Sequence, residues 1–388
     1  MASRFRILVV HNVYQQRGGE DAVVEAEVTL LKAHGHEVLE YRRDNAEIAG
    51  MSQFRLLGDT LWSARASRDL VTSANRFAPD LVHVHNTFPL ISPAIYWAAG
   101  RIAVPVVQTL HNFRLMCLNA LFLRKGNVCE DCMGHVPWRG VARACYRHSR
   151  TASAAMAGTL MLHRRLGTYR NKVACYIALN EFCRRKFIDG GLPADRVWVK
   201  PNFVDVDAPQ AFARAGFLFV GRLSEEKGVA TLAHSMALVP DSRLRVAGDG
   251  PEVHRLRGRE GVTWLGQLSE EEVRGEMSRA SALIMPSICY ENFPRTIAEA
   301  FACGLPVIAS RLGAMAELVG DRRTGLLFAP GDARDLARKI TWAQNHPEEM
   351  RTMGINARRE YEARYTPEIN YRQLLAIYEH AVAGAKRE

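Results

Sequence analysis

Phe217-Leu218-Phe219-Val220-Gly221-Arg222-Leu223-Ser224-Glu225-Glu226-Lys227-Gly228 is the stretch from which the fold is read. Four apolar residues in a row, two of them aromatic, suit a strand buried on both faces, as in a parallel sheet. Gly221 ends the run, two cations follow five positions apart, and Gly228 leads into an apolar helical segment. Arg222 and Lys227 therefore stand at the carboxyl edge of a sheet, where open α/β sheets bind ligands. Val246-Ala247-Gly248-Asp249-Gly250-Pro251 repeats the strand-then-glycine pattern, although Gly-Asp-Gly alone signals no more than a turn.

Strand-like and helix-like segments alternate on both sides of this stretch. The amino-terminal series runs Ile7 to Val10, Leu81 to Val84, Val104 to Val107, Tyr176 to Leu179 and Val197 to Val199. From Phe217 the alternation restarts through Leu244 to Ala247, Val262 to Leu265, Leu283 to Met285 and Val307 to Ala309. Two doubly wound parallel sheets are expected. The polar connector Lys200-Pro201-Asn202-Phe203-Val204-Asp205 separates them, which sets an amino-terminal domain at 1–200 and a carboxyl-terminal domain at 201–365, followed by a helical segment, 366–388.

A length of 388 residues, 48% hydrophobic, suffices for two cores. No apolar run could span a bilayer, and Met1-Ala2-Ser3-Arg4-Phe5-Arg6 enters a strand without a secretory h-region, so the reading is a soluble cytoplasmic protein. A net charge of +10 suits nucleic acid, an anionic membrane or phosphorylated substrates. No nucleic-acid fold signature is present, which leaves the last two. A dehydrogenase is disfavoured because no G-x-G-x-x-G follows the first strand.

Glu291 and Glu299 lie eight positions apart in Glu291-Asn292-Phe293-Pro294-Arg295-Thr296-Ile297-Ala298-Glu299, after a strand at Ala282 to Met285 and a Pro286-Ser287 turn. Pro294 suits the first turn of a helix. One carboxylate is then on the loop and the other inside the helix, roughly 12 Å apart if fully helical. That reach suits the two ends of a nucleotide-sugar better than a hydrolase pair, which sits about 5–9.5 Å apart. Spacing alone also fits two exposed glutamates at a helix start.

In this order, the Gly-Arg-x4-Lys-Gly loop, the Gly-Asp-Gly-Pro turn, the Glu-x7-Glu segment, Ala302-Cys303-Gly304-Leu305-Pro306-Val307-Ile308-Ala309-Ser310 and Thr324-Gly325-Leu326-Leu327-Phe328 resemble the retaining glycosyltransferases of family 4. The resemblance implies the glycosyltransferase B fold, two Rossmann-like domains facing a cleft, and a final helix that packs back on the amino-terminal domain. It implies that Arg222 and Lys227 neutralise a diphosphate, with Gly221 and Gly248 beside the nucleotide. Glu291, with amides near Asn292 and Phe293, would hold the transferred sugar, and Glu299 the ribose. Two motifs depart from the family: Glu-Gly-Phe-Gly is here Glu291-Asn292-Phe293-Pro294, and Pro-Asn-Gly-Val-Asp is Pro201-Asn202-Phe203-Val204-Asp205. The first leaves sugar preference open, the second the backbone at Phe203.

In the amino-terminal half, Gln15-Gln16-Arg17-Gly18-Gly19-Glu20-Asp21 joins the first strand to a helix. Gly18 and Gly19 could admit a phosphate to a helix amino terminus or form a plain turn. The resemblance favours the first and places a sugar-contacting histidine at His111, in Gln108-Thr109-Leu110-His111-Asn112; His85 is a weaker candidate on the acceptor side. Cys117, Cys129, Cys132 and Cys145 form C-x11-C-x2-C-x12-C in a candidate insertion at 112–150. In a cytosolic chain this argues against disulfides and admits either a structural zinc or ordinary thiols. No acidic residue occurs from Cys132 to Asn180, where arginines interleave with Trp138, Met156, Leu160, Met161 and Leu162. Either an anionic-membrane face or a solvated basic helix follows.

The expected activity is transfer of a hexose, without a metal cofactor, from a UDP- or GDP-sugar to a glycan or lipid-linked acceptor in surface polysaccharide or lipopolysaccharide synthesis, in the cytoplasm or at the inner membrane face. The alternatives are an epimerase or phosphorylase-like enzyme of the same fold, and a non-catalytic binding partner.

Overall fold

The computed structural model describes residues 4–15, 18–206 and 213–385. The chain divides into two compact units, one of residues 1–120, 130–200 and 370–388, the other of 121–129 and 201–369.

In the first unit β1 (Arg6–Val13), β2 (Glu37–Asp44), β3 (Leu81–Asn86) and β4 (Val106–Thr109) are followed by the two-residue strands β5 (Leu123–Arg124) and β6 (Asn127–Val128), a hairpin grouped with the other unit. Then come β7 (Cys175–Ala178) and β8 (Val197–Val199). The sheet order is β2-β1-β3-β4-β7-β8, all parallel. The apolar runs fill the middle: every residue of β3, β4 and β7 is buried. Absent from the expected strands is β2, whose sequence Glu-Val-Leu-Glu-Tyr-Arg-Arg-Asp carries charges on an edge strand that water reaches. The helix Pro367–Ala385 ties into this unit through Tyr378, whose hydroxyl lies 2.7 Å from His83 Nδ1, and Tyr371, 3.0 Å from His36 Nε2.

The second unit contains β9 (Phe217–Val220), β10 (Leu244–Ala247), β11 (Val262–Gly266), β12 (Ala282–Met285), β13 (Val307–Ser310) and β14 (Gly325–Phe328) in the order β11-β10-β9-β12-β13-β14, again parallel. One apolar cluster lies on each face of the sheet. Among the described residues no helix is long and apolar enough to cross a membrane.

In both sheets the strand order reverses direction at one place, between β1 and β3 in the first unit and between β9 and β12 in the second. Such switch points leave a crevice at the carboxyl ends of the strands.

Candidate functional site

At the second switch point the loop leaving β9 meets the loop leaving β12. Lys227 Nζ donates to Glu291 Oε1 at 2.7 Å, and Ser287 Oγ donates to the same oxygen at 2.8 Å. Oε2 of Glu291 has no hydrogen bond among the described residues, and two ammonium protons of Lys227 remain for another acceptor. Burial works to lower the Lys227 pKa, and the adjacent Glu291 carboxylate more than offsets it, so the ammonium is held above its ordinary value. The Arg222 side chain is exposed and makes no hydrogen bond or ion pair among the described residues.

The frame beneath these side chains is backbone packed on backbone. Gly228 has φ +70°, and a Cβ there would fall 1.9 Å from the Pro286 carbonyl oxygen; at Gly248 a Cβ would fall 2.0 Å from that of Gly221. The Ile288 amide donates to the Glu226 carbonyl at 2.9 Å, and the Leu223 amide to the Asp249 carbonyl at 2.9 Å, so the three loops lock together. Trp264 Nε1 closes the edge by donating to the Gly248 carbonyl at 2.9 Å.

Helix Arg295–Ala302 begins one residue after Pro294, which caps it from an extended conformation and does not occupy its first turn. Within it Arg295 Nε lies 3.1 Å from Glu299 Oε1. Burial raises the Glu299 pKa, against the pull of Arg295. Asn292 is buried, and Phe293 packs its ring on Tyr365 at 5.9 Å between centroids. At this position the aromatic side chain supports the loop from the core side.

At the first switch point Gly18 caps helix Gly19–Ala33, and its amide is taken by Asp21 Oδ2 at 2.9 Å. One of the two amides expected to face a phosphate is thus spent on a carboxylate of the same turn. Gln16 and Arg17 of this loop lie outside the described residues. Asp21 also lies 2.8 Å from His11 Nε2, while Glu20 accepts from Tyr14 Oη at 3.0 Å and more weakly from Asn112 Nδ2 at 3.4 Å. Burial pushes the Glu20 carboxyl up to about 8, so it is largely protonated at neutral pH. His111 follows β4 and lies 2.9 Å from His85 Nδ1 through its Nε2. His85 is buried, with Nδ1 toward His111 and Nε2 toward Glu27. Sequence reasoning gave no role to His11, Glu20, Asp21, Glu27 and Ser287; for His11 and Ser287 the signal available was a polar residue near the end of a strand bordering a switch point, and for the three acids of helix Gly19–Ala33 there was none.

The basic segment also differs from its expectation. Met156 and Leu160 of helix Arg150–Arg165 are buried, because this helix packs on helix Gln53–Trp62, where His163 Nε2 meets the Leu61 carbonyl at 2.9 Å. Among the apolar groups left in water are Val136, Trp138, Leu162, Leu166 and above all Phe54, which is 89% exposed. None of the eight cysteines is in a disulfide. A Cβ on Gly140 would fall 2.7 Å from Leu118 and 3.3 Å from Cys132 Sγ, and the Cys145 amide donates to the Gly140 carbonyl at 2.9 Å. Cys132, Cys145 and the neighbour of Cys117 therefore share one small neighbourhood.

The family descriptions that match are "Glycosyltransferase Family 4" over residues 18–208 and "Glycosyl transferases group 1" over 213–360, together most of the chain. The chain belongs to glycosyltransferase family 4. It is 31% identical over 240 residues to the phosphatidyl-myo-inositol mannosyltransferase of Mycobacterium leprae, covering 57% of this chain and 63% of that one. It is 32% identical over 174 residues to the MMP alpha-(1->4)-mannosyltransferase of Mycolicibacterium hassiacum, covering 40% and 41%. The matched stretches span less than two thirds of these relatives' own length. Sucrose-phosphate synthase from Thermosynechococcus elongatus superposes with a TM-score of 0.74 at 20% identity, covering 98% of this chain and 100% of that one. Anabaena HepE, solved with UDP-glucose, superposes with a TM-score of 0.67 at 17% identity, covering 97% and 100%. These likenesses establish the glycosyltransferase B fold. In the second unit a cavity of about 1030 Å³ is lined by Phe217, Arg243, Ser281 and Pro306, residues at the amino ends of the strands. It is therefore on the sheet edge opposite Lys227 and Glu291.

Proposed function

We propose that this family-4 glycosyltransferase retains anomeric configuration and moves a hexose from a UDP- or GDP-sugar to a glycan or lipid-linked acceptor, in surface polysaccharide or lipopolysaccharide assembly. The observation that carries this reading is the pair of cations at the second switch point, Arg222 exposed and unpaired, Lys227 held charged against Glu291. As the bond from sugar C1 to the diphosphate breaks, negative charge grows on the distal phosphate. Two cations beside it stabilise that charge, and Lys227, held in place by Glu291, does so more in the transition state than in the ground state. Neutralisation falls to side chains and loop amides, so the reaction requires no metal cofactor. Glu291 keeps Oε2 for hydroxyls of the transferred sugar, and Glu299, braced by Arg295, accepts from the ribose. His111 is assigned to contact the sugar and Gly19 the phosphates. Attack comes from the face the diphosphate leaves, and no side chain forms a covalent intermediate.

A thermal-shift screen with UDP, GDP, ADP and their sugar conjugates tests the donor assignment, since a ligand selective for the folded state raises its stability. One base giving a clear shift that Lys227→Ala abolishes is the expected result. No shift with any nucleotide in a folded sample would overturn it in favour of a non-catalytic binding partner.

Two further assignments belong to this reading. Cys117, Cys129, Cys132 and Cys145 would hold one structural zinc as thiolates. Elemental analysis should find one zinc per chain, and easy alkylation of all four thiols in the native protein would refute it. Phe54, Leu57, Leu162 and Leu166, with Arg55 and Arg165, would rest on an anionic membrane and bring the cytoplasmic enzyme to a lipid-linked acceptor.

A further inference from the structure

Glu27 is 2% exposed and Lys200 is 1% exposed. Glu27 Oε2 accepts from Lys200 Nζ at 2.8 Å, and the same ammonium donates to Asn370 Oδ1 at 3.2 Å. Lys200 is the last residue of the first unit before the chain leaves it, and Asn370 is the first after it returns. One buried carboxylate, acting through one lysine, thus ties down both ends.

The other oxygen of Glu27 faces histidines. Oε1 lies 3.2 Å from His83 Nδ1 and 3.4 Å from His85 Nε2, and neither contact has hydrogen-bond alignment. Oε1 and His85 Nε2 are two buried polar atoms without a hydrogen bond, and no water fits between them. Each such atom costs about 1–3 kcal/mol unless paired, and a small ring rotation lets them satisfy one another. That requires the proton of His85 on Nε2. With the opposite tautomer a ring lone pair would face a carboxylate lone pair. His83 has other partners, Thr109 Oγ1 at 2.8 Å from Nε2 and Tyr378 Oη at 2.7 Å from Nδ1.

The consequence passes outward. If His85 carries its proton on Nε2, its Nδ1 is an acceptor, and the 2.9 Å contact to His111 needs a proton from His111 Nε2. His111 Nδ1 is then bare, an acceptor with no partner among the described residues. We propose that Glu27 is a positioning residue that fixes the tautomers of His85 and His111, so that His111 presents a hydrogen-bond acceptor at Nδ1. The relevance to transfer rests on the reading above that His111 faces the sugar, where a bare nitrogen selects a donating sugar hydroxyl. Burial holds His83, His85 and His111 below the ordinary histidine range, which keeps the relay neutral. His11, 6.3 Å from His85 between ring centroids, is paired separately with Asp21. Glu27, His83 and His85 also have ligand atoms within 4.8 Å of one another, close enough for a metal. The Lys200 ammonium already supplies the cation there, and a second would be opposed by it.

The test is nitrogen NMR of ring-labelled histidine in the full-length protein, in wild type and in the double variant Glu27→Gln/Lys200→Met. The pair removes both buried charges together, because Glu27→Gln alone strands a buried ammonium, which is strongly destabilising. Wild type should show His111 with its proton on Nε2. The double variant should fold, lose that single tautomer, and lose kcat by about 10- to 100-fold, the scale seen when an outer orienting group is removed, with a smaller change in donor KM. A wild-type His111 protonated on Nδ1 would overturn the proposal whatever the activity. So would a folded double variant that keeps both the tautomer and kcat. A changed tautomer with unchanged kcat would support the role of Glu27 and count against His111 as a sugar contact.

Discussion

The two switch points use charge in opposite ways. At the carboxyl-terminal one, Arg222 reaches into solvent and Lys227 shares a half-buried pair with Glu291, on loops whose backbones touch with no side chains between them. At the amino-terminal one, Glu27 and Lys200 sit in the interior and only the last member of a histidine relay is partly exposed. A group that must neutralise a leaving diphosphate has to be available and already charged. A group that only orients another works better out of water, where its hydrogen-bonding state is fixed by a few neighbours. The same sheet topology thus holds an accessible charged edge in one unit and a buried charged scaffold in the other.

Removing Lys227 should break this contrast most visibly. Lys227→Ala is expected to lower kcat/KM by about 100- to 1000-fold, the usual result of deleting one charge-stabilising donor, and to leave the melting temperature of the nucleotide-free protein nearly unchanged. Arg222→Ala should cost less, because an exposed cation binds ground state and transition state more equally. Steady-state kinetics of both variants decide the matter, and wild-type turnover in Lys227→Ala would end the assignment. The next effect in size concerns the frame. Gly228→Ala places a Cβ against the Pro286 carbonyl in a left-handed conformation, so a loss of about 2–4 kcal/mol is expected. Thermal melting should show it, whereas Gly19→Ala, with no atom within 4 Å of its Cβ, should melt like wild type.

Much of this was legible in the residues. The uninterrupted apolar runs around Phe217 and Ile308 announced parallel strands, and glycine after a strand marked the loops that meet at the second switch point. The edge strand Glu37–Asp44 was not legible, since half its residues face water and its pattern reads like a polar loop. Nor was the interior of the first unit. His83, His85, Glu27 and Lys200 are spread over more than 170 positions, and nothing local tells a buried glutamate from an exposed one. The basic helix misled for a related reason: Met156 and Leu160 mark an apolar face, but whether a membrane or another helix covers it is decided by the segment at Gln53–Trp62.

Glu20 sharpens the contrast from the side of pH. Burial holds its carboxyl near 8 in the folded protein, above the ordinary value of 4.5 that the unfolded chain keeps. Between those values the folded state binds the proton and the unfolded state does not, so stability falls as pH rises from about 4.5 to about 8. Glu20→Gln cannot ionise and should lose that slope. From pH 5 to pH 8 the wild type is expected to drop by at least about 2 °C more than the variant, on the order of 1 kcal/mol. Parallel melting curves across the range would show Glu20 ionised throughout, as an exposed carboxylate would be.

The smallest effect belongs to the outermost residue. Phe54 is 89% exposed on helix Gln53–Trp62, beside Arg55 and near the half-exposed Leu57. A lone aromatic in water costs the fold little either way, so Phe54→Ser should leave melting within about 1 °C of wild type, as surface changes usually do. At a bilayer the ring gains by leaving water, about 1.5–3 kcal/mol if fully inserted, and the nearby arginines add attraction to anionic headgroups. Partial insertion should still make the binding constant for phosphatidylglycerol vesicles roughly tenfold weaker in the variant, which is 1.4 kcal/mol. Turnover on a soluble acceptor should not change. Equal flotation of variant and wild type would mean that no bilayer touches this face. The basic helix would then be a solvated one, and the exposed ring would belong to the fold and have no part in delivering a lipid-linked acceptor.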